Sequence, residues 1–156
     1  MKVEIVMTRN VAICSPEQSL NEAARIMWER DCGIVPVVAG DGDGRLLGVV
    51  TDRDVAMAAY TQGRRLSEIP VSEIMSKHVV SCRPSDSIGT AERAMQHAQV
   101  HRLPVVNDAG DVVGMLSLAD IARATRRAPE LVSKSNVGAT LAEISRPRAR
   151  EVIHAA

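Results

Sequence analysis

Two short stretches of the chain carry residue types that suit the binding of a small polar ligand. The first is Gly48-Val49-Val50-Thr51-Asp52-Arg53-Asp54, an apolar run that ends in a hydroxyl with a carboxylate three residues on. Gly114-Met115-Leu116-Ser117-Leu118-Ala119-Asp120 repeats the layout. Local chemistry allows two readings. A Thr or Ser with an acidic residue three positions later is a helix N-terminus in which each side chain satisfies the other's backbone donor. The same geometry also offers a phosphate free N–H groups, a partial positive charge and a hydroxyl. A carboxylate one turn into the helix is then placed to accept from both hydroxyls of a ribose.

Other chemistries find little footing. The chain has no Gly-x4-Gly-Lys-[Ser/Thr] phosphate loop and no nucleophile elbow, so no enzyme is expected. His97 and His101 are four apart, but the helix is expected to end between them and no third ligand is near in sequence. Asp41-Gly42-Asp43-Gly44 resembles a calcium loop only superficially, because Arg45 and Leu46 stand where an EF-hand needs a ligand and a glycine. Lys plus Arg and Asp plus Glu both number 19, so no net field draws nucleic acid or an anionic membrane. The basic residues Arg123, Arg126, Arg127, Lys134, Arg146, Arg148 and Arg150 gather late in the chain, as a solvated tail. Trp28 and Tyr60 are the only aromatics, which leaves no stacking platform for single strands. A base held here would lie between aliphatic groups. Cys14, Cys32 and Cys82 are an odd number without CxxC spacing and follow no signal peptide; free thiols and a cytoplasmic location are expected. No apolar run is long enough to span a membrane.

The elements that must position these residues emerge from an internal repeat. A constant offset carries Met7 onto Met75, Val11 onto Val79, Cys14 onto Cys82, Ala23 onto Ala91, Met27 onto Met95 and Pro36-Val37-Val38 onto Pro104-Val105-Val106. A two-residue deletion then aligns Gly48 with Gly114 and Asp54 with Asp120. The chain is a tandem duplication, divided as 1–62, a connector 63–72, 73–127 and a tail 128–156. Val11-Ala12-Ile13 and Val79-Val80 read as short strands, each stopped before a proline. Leu20, Ala23, Ala24 and Met27, then Ile88, Ala91, Ala94 and Met95, recur at helical spacing. Hairpins 34–50 and 103–116 turn on Gly, Asn and Asp. Helices follow Thr51 and Ser117, and beyond Pro129 only Val137, Leu141 and Ile144 show helical spacing, a weak helix with a loose basic end. Each copy is β-α-β-β-α, an α/β (α+β) fold.

A doubled β-α-β-β-α unit, with an apolar-Pro-Val-Val strand and a strand-end Gly-x-x-[Thr/Ser]-x-x-Asp in both halves, resembles a tandem pair of CBS domains, a Bateman module standing alone. The resemblance covers residues 5 to about 127. It implies two repeats packed through their sheets with approximate two-fold symmetry, and clefts that in many members bind AMP, ADP, ATP or S-adenosylmethionine. By the same resemblance Asp54 and Asp120 fall at the ribose hydroxyls and Thr51 and Ser117 at the phosphate. Val35-Pro36 and Leu103-Pro104 flank the adenine, and the segments ending at Cys14 and Cys82 give backbone contacts to the base edge. The copies differ: Arg53 starts the first helix with no counterpart in the second, while Arg102, before the second hairpin, is placed to reach a phosphate across the pseudo-two-fold. The function implied is energy or metabolite sensing through an adenosine nucleotide, with no obligatory cofactor and an unknown protein partner. The competing reading is a ligand-free dimerisation or docking scaffold. Both share a homodimer, because Ala56, Ala58, Ala59 and Tyr60 make the helix after Thr51 apolar on more than one side.

Overall fold

The computed structural model describes residues 1–40, 44–127 and 134–147. In chain order it contains α1 (Val3–Val6), α2 (Leu20–Glu29), β1 (Ile34–Val38), β2 (Leu46–Thr51), α3 (Asp52–Gln62), a 3₁₀ turn at Leu66–Glu68, α4 (Val71–Ile74), α5 (Ile88–Ala98), β3 (Arg102–Val106), β4 (Val112–Ser117), α6 (Leu118–Arg127) and α7 (Lys134–Ile144). The residues at 41–43, 128–133 and 148–156, including most of the supposed calcium loop and the end of the basic tail, lie outside the described residues.

Each repeat holds one antiparallel hairpin, β1 with β2 and β3 with β4. The registers match position for position: Ile34 faces Thr51 and Pro36 faces Val49, as Arg102 faces Ser117 and Pro104 faces Met115. Both hairpins bulge at the same point, between Val37 and Val38 and between Val105 and Val106. Their ends meet, with Leu46 N–H donating to Gly110 O and Val112 N–H to Gly44 O, both at 3.0 Å. Period-two alternation puts Val35, Val37 and Val50 in the first repeat's own core with Leu20, Ala23 and Met27 of α2. Val38, Val49 and Met115 are buried outside either core.

The strands expected at Val11–Ile13 and Val79–Val80 do not form; a single bridge residue stands just beyond each, at Cys14 and Cys82. Cys14 N–H donates to Pro36 O at 3.0 Å and Val38 N–H to Cys14 O at 2.9 Å, a parallel bridge that Cys82 repeats with Pro104 and Val106. One further step of that ladder would need an amide at position 36 to donate to the carbonyl of Ala12. Proline has none, so pairing stops there, and Pro104 stops it before Val80 in the same way.

The segments that lead into each repeat are exchanged between the two. Val3 and Met7 pack in the second repeat's core with Ile88, Leu103 and Ile121, whereas Ile69 and Val71 pack in the first repeat's core. Thr8 pairs with Met115 and Ser76 with Val49. The glycines of the two motifs allow this passage. A Cβ on Gly48 would stand 2.8 Å from Ser76 O and 3.1 Å from Met75 Sδ, and one on Gly114 would stand 2.7 Å from Thr8 O and 3.1 Å from Met7 Sδ. Met7 and Met75, equivalent in the repeat, thus cover equivalent glycines.

The weak helix expected after Pro129 is a docked element. On α7, Ile144 is buried and Val137 partly buried against the second core, while Leu141 faces out.

Candidate functional site

Thr51 ends β2 and caps α3. Asp54 N–H donates to Thr51 Oγ1 at 3.2 Å, while Thr51 N–H and Thr51 Oγ1–H both donate to Asp54 Oδ2, at 2.8 and 2.7 Å. Ser117 and Asp120 repeat the arrangement at α6, at 3.1, 2.8 and 2.6 Å. The capping box is therefore real in both copies. It holds one oxygen of each carboxylate and leaves the other to its surroundings.

Those surroundings differ. Asp54 is half-buried, and Oδ1 has no hydrogen-bond partner among the described residues. Asp120 is 8% exposed, and its Oδ1 is closed by an ion pair with Arg123 one turn on. The first-repeat counterpart of Arg123 is Met57, which carries no charge.

The start of α3 does not offer a phosphate free amides. Asp52 N–H donates to Gly33 O at 3.3 Å, Arg53 N–H to Asp52 Oδ1 at 2.7 Å and Asp54 N–H to Thr51 Oγ1 at 3.2 Å. With the three leading donors engaged, the bare helix terminus is corrected to a saturated one. At α6, Leu118 N–H likewise donates to His101 O at 2.9 Å. Positive charge near Thr51 comes from side chains instead. Arg53 is exposed with no ion pair among the described residues. Arg102 crosses from β3: its Nη1 lies 3.7 Å from where a Cβ on Gly33 would stand, and Asp52 Oδ2 lies 2.9 Å from the same point. A side chain at position 33 would disturb both.

Two expected contacts are corrected. Val35 and Leu103 are fully buried on the core faces of their strands, so they do not line a cleft. Alternation puts Ile34 and Pro36, and Arg102 and Pro104, on the opposite faces, where Pro36 and Pro104 are buried as well and only Ile34 and Arg102 reach the surface. Cys14 and Cys82 are buried, and both of their backbone groups are engaged in the parallel bridges. Among the described residues, the backbone groups of Val11, Ala12 and Ile13, and of Val79 and Val80, make no hydrogen bond. Burial first, and then Glu22 or Asp86, raises the thiols from 9.0 to about 11 for Cys14 and about 12 for Cys82. These are packing residues in their thiol form.

A cavity of about 400 Å³ opens beside Asp120, between Met1, Ile5 and Val6 on one side and Arg123, Ala124 and Arg127 on the other. A second, of about 610 Å³, lies at the turn of the second hairpin around Arg83, Asp86 and Asn107, away from both carboxylates. Among the described residues no three His, Cys, Asp or Glu side chains are grouped to hold a metal ion, and no helix is long and apolar enough to cross a membrane.

The repeated capped carboxylate, the doubled hairpin and the exchanged leading segments define a paired-repeat class, and comparison with known proteins names it. The family model of the CBS domain matches residues 2–60 and again 71–127, and the chain belongs to the CBS-domain family as a tandem pair. It is 38% identical over 143 residues to the CBS domain-containing protein YhcV of Bacillus subtilis (strain 168), covering 92% of this chain and 94% of that one. The structure of the CBS-domain containing protein ATU1752 from Agrobacterium tumefaciens matches with 29% identity and a TM-score of 0.69, covering 80% of this chain and 98% of that one. The structure of CBSX2 in complex with AMP matches with 25% identity and a TM-score of 0.72, covering 82% and 98%. Other relatives are larger: the chain spans 23% of a homoserine O-acetyltransferase of Methanohalobium evestigatum, with 32% identity over 121 residues.

Proposed function

We propose that this CBS pair is a regulatory module that binds an adenosine nucleotide of the AMP, ADP or ATP type, with S-adenosylmethionine as a further adenosyl ligand, and that it catalyses no reaction. The observation that carries the reading is Asp54: one oxygen is fixed by Thr51 while the other is unpartnered, at the helix start approached by Arg102 of the other repeat. A carboxylate held this way accepts from a ribose diol without first giving up a partner, and charge-assisted bonds of this kind are strong when shielded from water.

The other contacts follow from the strands. The carbonyl of Ala12, denied a partner by Pro36, accepts from the amino group of an adenine lying against the partly buried Ile34. Arg53 and Arg102 take the phosphate, a role that the saturated N–H groups of α3 do not fill. Asp120, Ser117 and Pro104 form the second site, which is weaker because Arg123 competes for the carboxylate. Binding is read by a protein partner through the packing of the two repeats or of two chains, and it shifts that packing only by as much as the two arrangements differ in affinity.

The likeness to a structure that holds AMP supports this over the ligand-free scaffold. Thermal melts with AMP, ADP, ATP, S-adenosylmethionine and NADH test it, since a ligand of the native state raises the melting temperature by mass action. A rise with an adenylate that vanishes in Asp54→Ala is expected. Flat melts with every ligand would leave the scaffold.

A further inference from the structure

The cavity beside Asp120 has two walls of opposite chemistry. Met1, Ile5 and Val6 of the leading segment form one, while Arg123 and Arg127, a turn apart on α6, belong to the other. On the apolar wall Ile5 is 69% exposed, although Met1 and Val6 rest against the second repeat's core. A branched aliphatic side chain left in water gains nothing until something covers it.

On the basic wall the charges do not cancel. Arg123 is paired with Asp120, whereas Arg127 is exposed and has no ion pair among the described residues. The lining side chains therefore carry one guanidinium in excess.

The duplication supplies an internal comparison. The repeat offsets place Glu73 where Ile5 stands, Met57 where Arg123 stands and Thr61 where Arg127 stands. Glu73 is moreover paired with Arg64 at 3.0 Å. The first copy thus keeps the same elements with neither the exposed aliphatic residue nor either guanidinium, so the fold itself does not require them.

We infer that this cavity is a binding site for a small amphiphilic monoanion, an acyl chain ending in a carboxylate. The carboxylate meets Arg127 and Arg123, and the hydrocarbon chain covers Ile5, Met1 and Val6. A guanidinium suits a carboxylate because its planar fork donates two parallel hydrogen bonds. The volume of about 400 Å³ is that of an ordinary small-molecule site. Asp120 sets the charge. It lines the same cavity and already claims Arg123, so a phosphate dianion would bring a second negative charge with no cation left to meet it. The site makes no use of a nucleotide at Asp54.

Octanoate below its micelle concentration is the probe, and the isotope-labelled methionine methyl resonances of the full chain are the readout. Met1 lines the cavity, while Met57 is exposed on α3 at the counterpart of Arg123 and reports any unspecific coating by a surfactant. A saturable shift of Met1 with Met57 unmoved is expected. Arg127→Thr and Ile5→Glu, which install the residues of the first copy, should each weaken binding about tenfold. Both side chains are exposed, so circular dichroism should not change. Octanol, the tail without the charge, and inorganic phosphate, the charge without the tail, should bind no better than octanoate binds these variants. An unshifted Met1 overturns the inference, as do equal shifts of Met1 and Met57 or undiminished binding in either variant. So does a Met1 shift produced by phosphate or AMP at the concentrations where octanoate acts, which would make the cavity part of a nucleotide site.

Discussion

Arg123 closes on the carboxylate of Asp120 from one turn along α6, whereas Met57, in the same place on α3, leaves Asp54 open. The two candidate sites of a duplicated fold therefore begin from different states: Asp54 Oδ1 has no partner among the described residues, whereas Asp120 Oδ1 would have to break an ion pair to accept from the diol proposed above. Arg123 is largely exposed, so that pair is a modest barrier. The expected outcome for Arg123→Met is a second adenylate per chain in isothermal titration, with the first site unchanged. A stoichiometry equal to that of the unsubstituted chain would show that Arg123 does not govern the second site.

Removing Asp54 has two consequences that need separate readouts. Its Oδ2 accepts from the amide and the hydroxyl of Thr51, so Asp54→Ala breaks the cap of α3 at a cost of about 1–2 kcal/mol. The ligand-free melting temperature falls for that reason alone. Asp120→Ala breaks the matching cap of α6 and serves as the control. Both variants should start lower by denaturant titration, but only Asp54→Ala should lose most of the rise that an adenylate produces.

Pro36 acts by what it lacks. Substitution by Ala supplies the amide that would donate to Ala12 O, lengthening the parallel bridge now limited to Cys14. If that carbonyl serves the base, its capture removes a neutral hydrogen bond worth roughly 1 kcal/mol, or about fivefold in affinity. Hydrogen exchange at residue 36 should show a protected amide in Pro36→Ala, and titration calorimetry should show weaker adenylate binding. Protection without loss of affinity would place the base elsewhere.

Much of this was legible in the residues. The duplication, the two hairpins and the hydroxyl-to-carboxylate cap each follow from spacing, because strand alternation and helix capping are local rules. What escaped depended on direction or on distant partners. Val35 and Pro36 are neighbours in an apolar run, and only the structure shows that Val35 faces α2 while Pro36 faces away. The helix-start amides appear free in sequence, yet Gly33 O, from the residue before β1, takes the first of them. Nothing local announced that Met7 packs on the second repeat and Met75 on the first. The match of Met7 to Met75 was visible, but its reason, the two glycines they cover, lies far along the chain.

Those glycines support a stability prediction. At Gly48 the obstruction includes the backbone carbonyl of Ser76, which pairs with Val49 on both sides of the bridge and has no freedom to retreat. Gly48→Ala and Gly114→Ala should each cost about 1–3 kcal/mol, the range of an overpacked core. The loss is expected in guanidinium titration, together with faster amide exchange at Ser76 or Thr8. Neutral substitutions would mean that the exchanged segments sit looser against β2 and β4 than these distances describe.

The three thiols should separate by burial. Cys14 and Cys82 are almost inaccessible and are held protonated up to about 11 and about 12 by burial, with Glu22 and Asp86 adding to it. Cys32 is only half-buried. In a thiol-disulfide reagent near neutral pH, one thiol should react promptly in the native chain and the other two only in denaturant. The same shifts fix a pH dependence. Between the ordinary value of 9.0 and about 11 to 12, the folded chain keeps protons that the unfolded chain has released. The contribution is therefore fully present below pH 9.0 and drains away as pH rises toward 11 and 12. Denaturant midpoints measured across that window should fall for the unsubstituted chain and fall less steeply for Cys14→Ala and Cys82→Ala. Equal slopes in all three would show that the buried thiols titrate as freely in the folded chain as in the unfolded one.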